Sequence, residues 1–121
     1  MTRWLAVLLV CLPLQAGAEV MHYNLCTIRP DKTLADLNAW TAEWKALIAK
    51  HKIDYRLRIL LPHADSQIKL DQFFLEGGSP TLLTYARAWD WWYTNAEAQA
   101  LNAKLVALSA CESGAVYTSV D

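Results

Sequence analysis

The chain has 121 residues, a formal net charge of −1 and 55 % hydrophobic residues. That length fits one domain. The balanced charge supplies no basic surface for nucleic acid and no acidic tail, and 4 Gly with 4 Pro exclude a fibrous or disordered chain.

Residues 1–18 read as a secretory signal peptide rather than as part of the fold. Arg3 gives a positive start, residues 5–14 form an apolar run, and Ala16-Gly17-Ala18 matches the small-x-small cleavage pattern. The run is too short to span a bilayer. A lipoprotein site at Cys11 fits poorly, because Val10 rather than a small residue precedes it. The expected product is residues 19–121, a single soluble domain with no membrane span, periplasmic or secreted. Cleavage after Ala18 also removes Cys11 and leaves Cys26 and Cys111, for which only one pairing exists. Neither sits in a CxxC pair or beside an activating group, so a structural disulfide is expected rather than a reactive thiol.

Residues 20–28 are rich in strand formers and stop at the turn signal Arg29-Pro30-Asp31. Thr33 can cap the next element, with Asp36 as an acidic variant of the capping box. Leu34, Leu37, Trp40, Thr41, Trp44, Leu47 and Ile48 then recur at helical spacing, predicting a helix to about His51. Residues 54–61 alternate as a strand, with Arg56 and Arg58 on one side and Tyr55, Leu57 and Ile59 on the other. Pro62-His63-Ala64-Asp65-Ser66 breaks it, and residues 70–76 give a third strand. Ser79 as N-cap and Pro80 at the first position predict a second helix. A Thr-x-x-Glu box at Thr94–Glu97 predicts a break and restart near Tyr93. Ala98, Leu101, Leu105 and Leu108 mark the inner face of the final helical segment. Gly114 ends the following turn, and residues 115–120 read as the last strand.

The predicted order is strand, helix, strand, strand, helix, strand. That is the α+β, ferredoxin-like βαββαβ arrangement, with helices on one face of a four-stranded antiparallel sheet. Its last strand lies beside the first and antiparallel to it. The end of the first strand, at Cys26, therefore meets the start of the last, just after Cys111. In element order, residues 20–120 resemble the dimeric α+β-barrel superfamily, which includes antibiotic-biosynthesis and haem-degrading monooxygenases. The resemblance implies a sheet-to-sheet homodimer and a ligand cavity between sheet and helices. It also implies work without a metal or organic cofactor, as in several members of the group. Haem-degrading members use an Asn on the first strand, and Asn24 is similar to it in location.

If the disulfide forms, Cys26 points toward the helices, and alternation puts Asn24 and His22 on the same inner face. His22 is then a candidate general base or ligand anchor. Asn24 is a candidate to orient a carbonyl or peroxide oxygen. The plainer reading is a satisfied structural pair. Tyr85, Trp89 and Trp92 share a helix face and could form a stacking wall for a planar ligand, with Trp91 pointing elsewhere. Trp40 and Trp44 read as core. His22, His51 and His63 lack metal-ligand spacing, so no metal site is expected. Arg56 and Arg58 could bind an anion or pair with Glu76 on the open face. No phosphate loop and no nucleophile elbow is present.

Three functions remain open. One is a dimeric exported protein that binds a small apolar or planar ligand or serves as a scaffold. The second is a cofactor-independent oxygenase or isomerase-like enzyme using His22 and Asn24. The third is an interaction module presenting its sheet face. A cavity touching both His22 and Trp92 would favour the second, and a filled core beneath an apolar open sheet the first or third. Clustering of Met21, Tyr23, Leu25 and Phe73 or Phe74 on the open face would indicate a homodimer.

Overall fold

Strand formers carry β1 without interruption over Val20–Ile28, and this strand organises the sheet. The computed structural model describes residues 18–64, 69–112 and 114–120. The expected signal peptide lies outside them except for Ala18, as do residues 65–68 of the predicted turn. After β1 come α1 (Leu34–His51), β2 (Arg56–Leu60), β3 (Gln72–Ser79), α2 (Leu82–Thr94), α3 (Ala96–Leu108), β4 (Ser109–Cys111) and β5 (Ala115–Thr118). The sheet order is β2-β3-β1-β4, with β5 also on β1, and every pairing is antiparallel. The helices pack on one face, so the expected α+β ferredoxin-like arrangement holds.

Local chemistry explains where the elements begin and end. Thr33 caps α1 through a capping box with Asp36, as its spacing predicts. Lys52 closes the helix in the left-handed region, at φ 54°. Three expectations need correction. Ser79 does not cap α2; it ends β3, buried, and donates its hydroxyl to Asp54 O at 3.0 Å. Thr81 is the N-cap instead, with Thr84 completing the box. The helix break falls where Thr94–Glu97 placed it, but Asn95 makes the cap, accepting from the Glu97 and Ala98 N–H groups. The Thr94 hydroxyl bonds back to Asp90 O at 2.7 Å.

The third correction concerns the last strand, which is split. β4 and β5 both pair with β1, one either side of a break around Gly114. Cys111 therefore sits within a strand directly opposite Cys26, not just ahead of the last strand. The two are bonded across 3.9 Å between Cα atoms, 85 residues apart in sequence. Cys26 is fully buried beside Leu37, Trp40, Trp44, Phe73 and Leu101, the core between sheet and helices. That fixes the face of β1: residues 22, 24 and 26 look toward the helices, and 21, 23 and 25 look away.

Candidate functional site

The core is not filled. A cavity of about 440 Å³ lies between the sheet and all three helices, within the range of small-molecule sites. His22 and Asn24 of β1 line its floor, Trp40 and Trp44 of α1 one wall, and Trp89, Trp91 and Trp92 of α2 another. It touches both His22 and Trp92, the outcome that favours a chemically active pocket over a solid scaffold.

Two glycines make room for this arrangement. A Cβ on Gly77 would collide with the Tyr55 hydroxyl, so Tyr55 lies against bare backbone there. A Cβ on Gly114 would strike Asn24 Oδ1 and lie 2.6 Å from His22 Nε2. The break between β4 and β5 thus brings Gly114, which has no side chain, against the polar pair. Tyr55 is pushed above its ordinary value, first by burial and then by neighbouring Tyr85.

His22 is half buried. Its Nδ1 lies 3.4 Å from the Tyr85 hydroxyl, and its ring centroid 5.0 Å from that of Trp89. Burial lowers its pKa, and the adjacent Asn24 side chain opposes that only in part. The imidazole is therefore neutral at neutral pH and available as a base. Tyr85 is pushed up, chiefly by burial; the nearby Trp89 indole opposes this without reaching hydrogen-bond alignment.

Three buried polar atoms around the cavity have no partner: Asn24 Oδ1, Trp89 Nε1 and Trp91 Nε1. A buried donor or acceptor left unpaired costs ~1–3 kcal/mol. All three belong to residues that line the cavity. By contrast, Trp40 Nε1 donates to Leu101 O at 2.9 Å, as a core tryptophan should.

The sequence-derived candidates are thus only partly assembled. His22, Asn24, Trp89 and Trp92 line the cavity. Tyr85 does not; it stands beside His22. Trp91 does line it, contrary to the helical-face expectation. The cavity runs past the inner face of α2 to Ile53, where Trp91 meets the last turn of α1, its ring 5.5 Å from His51. Trp40 and Trp44 are core and wall at once. The available signal was the cluster of Trp89, Trp91 and Trp92 within four residues, beside Trp40 and Trp44 of α1. His63 lies exposed in the irregular segment after β2. Among the described residues no cluster of His, Cys, Asp or Glu could hold a metal ion, and no helix is long and apolar enough to cross a membrane.

No protein-family model matches the sequence, and no curated protein matches it. Solved structures do. The chain is similar to SnoaB, a cofactor-independent oxygenase from Streptomyces nogalater, with TM-score 0.60 and 18 % identity over 87 % of this chain and 96 % of that one. A single-site mutant of that enzyme gives 0.62 and 19 % over 85 % and 94 %. A dimeric protein of unknown function and ferredoxin-like fold from Bacteroides fragilis gives 0.52 and 19 % over 84 % and 94 %. Such identities speak for the fold alone, and they agree with the strand order and helix placement found above. The chain shares the ferredoxin-like α+β fold of these structures.

Proposed function

We propose that this protein, exported and trimmed to residues 19–121, binds a planar, mainly apolar small molecule in the cavity between sheet and helices. One observation carries the reading: an aromatic-walled space of about 440 Å³ with His22 and Asn24 in its floor. Trp89 and Trp92 supply stacking surface, and the floor residues supply polar groups. Native mass spectrometry of protein purified from its own host tests it. One co-purifying small molecule per chain is expected, and it should be lost when Ala88, a buried wall residue, is changed to Phe. A chain that emerges empty, with tryptophan fluorescence unmoved by planar aromatic compounds, overturns the reading.

A second reading is favoured by the neutral His22 in the cavity floor: cofactor-independent oxygenation or isomerisation of the bound molecule. His22 would take a proton from an acidic C–H or O–H, and Asn24 would hold the oxygen where charge develops. The similarity to SnoaB supports this in fold only. Dioxygen uptake or isomer formation by chelator-treated protein with the co-purified molecule is the measurement. His22→Gln should abolish turnover while binding persists; turnover that survives the change excludes His22 as the base.

The open sheet face supports a homodimer. Met21, Tyr23 and Leu25 lie on it, with Leu25 opposite Phe74 and Phe74 opposite Leu60, while Phe73 turns into the core. The dimeric neighbour of the same fold adds weight. Size-exclusion chromatography with light scattering should give twice the chain mass, and a strict monomer would refute the dimer.

A further inference from the structure

One cavity residue plays no part in the reading above. Arg29 follows β1, is exposed, and lines the cavity together with Val106 of α3. Its backbone N–H bonds Leu108 O at 3.0 Å, and its Nε donates to Val106 O at 2.9 Å. The side chain is thereby pinned to the C-terminal end of α3, where free carbonyls need donors. Among the described residues it forms no ion pair and no other side-chain hydrogen bond. Its two Nη groups remain as an end-on pair of donors, the geometry that matches a carboxylate.

The rest of the lining points the same way. Among the described residues, no aspartate or glutamate faces the cavity. The negative end of the α3 dipole lies near Arg29, but a helix end carries only about half a charge against the full charge of the guanidinium. The cavity mouth is therefore net positive. Resting on the binding reading, we infer that the ligand is an aromatic carboxylate. Its acid group meets Arg29 at the mouth, and its ring system lies between the tryptophan walls.

Three compounds of one shape test this: naphthalene-2-carboxylate, naphthalene-2-carboxamide and 2-naphthylmethylammonium, titrated calorimetrically into the full mature protein. The carboxylate should bind about tenfold more tightly than the amide, and the ammonium most weakly. Arg29→Gln should erase the preference for the acid over the amide without changing amide affinity; Arg29→Lys should retain most of it. In the unaltered protein the preference should shrink as salt is raised, which covers the case of a variant that misfolds. If acid and amide bind equally, or the preference persists in Arg29→Gln or at high salt, the assignment to Arg29 is wrong and the cavity reading stands. If none of the three binds, the cavity reading itself falls.

Discussion

On the open face of the sheet, Glu76 is almost fully buried yet well served. Arg58 Nε donates to its carboxylate at 2.8 Å, an Nη group of the same side chain joins it, and Tyr23 lies beside it. Arg56 is paired with Glu19 in the same layer. One residue along β1 from Tyr23, on the opposite face, Asn24 leaves its Oδ1 unpaired, and Trp89 and Trp91 above it do the same with their N–H groups. A single strand thus supplies alternate residues to a face that satisfies its own polar atoms and to one that does not. The open face pairs its charged groups within itself. The helix face keeps unpaired polar atoms on residues that line a cavity.

The strongest way to break the helix face is to cut its covalent tie. Removing the Cys26–Cys111 bond frees an 85-residue loop in the unfolded chain, which costs ~4 kcal/mol in the chain-entropy picture. Denaturant unfolding of Cys111→Ser should show a midpoint lowered to match, and reduction of the unaltered protein should do the same. An unchanged midpoint would mean that packing alone holds β4 against β1.

Next in size is a contrast between tryptophans. Trp40→Phe loses the bond to Leu101 O as well as ring area, at about 2 kcal/mol in all. Trp91→Phe loses ring area but no hydrogen bond, because its Nε1 has no partner to lose. The first change should therefore cost at least ~1 kcal/mol more than the second in chemical unfolding of ligand-free protein, since Trp91→Phe also removes an unpaired donor. Equal costs would mean that the Trp91 N–H is satisfied after all, and the case for a vacant polar site would weaken.

These contrasts show what was legible in the sequence. The alternation of β1 and the two cysteines sufficed to orient His22 and Asn24, because a strand has only two faces and one was fixed by Cys26. The α1 cap was legible because Thr33 and Asp36 interact over three residues. The strand break at Gly114 was not, since it depends on which backbone lies beside His22 and Asn24. Nor was the place of Trp91: helical geometry gives a direction, but the extent of a cavity depends on how three helices leave the sheet. Arg29 read as part of a turn because its contacts, Val106 and Leu108, lie nearly eighty residues away.

On the open face, Glu76→Gln should cost about 1 kcal/mol. The loss is modest because Arg58 is largely exposed and its charge returns to water. Burial alone would raise the Glu76 pKa, but hydrogen bonds from Arg58 and Tyr23 outweigh it and hold the carboxyl below its ordinary 4.5. A depressed acid contributes stability that is present above the unfolded value and lost as pH falls through the folded one. Unfolding free energy should therefore drop on acidification below about 4.5. Glu76→Gln should flatten that drop, and an acid limb identical in both proteins would show that the pair is not linked to folding.

The smallest effect belongs to His22 and has its own pH window. Burial lowers its pKa in the folded state, so below 6.5 the unfolded chain takes up a proton that the folded one resists. Stability then declines as pH falls from 6.5 toward the depressed folded value, higher on the scale than the Glu76 limb. His22→Gln should remove this shallow limb and leave the acid limb intact. Histidine resonances followed by NMR give the direct reading, with His22 titrating below its ordinary 6.5. If His22 titrates above neutral pH, a charged partner rather than burial governs it. The floor of the cavity would then present a cation at neutral pH, and proton abstraction by His22 would be excluded.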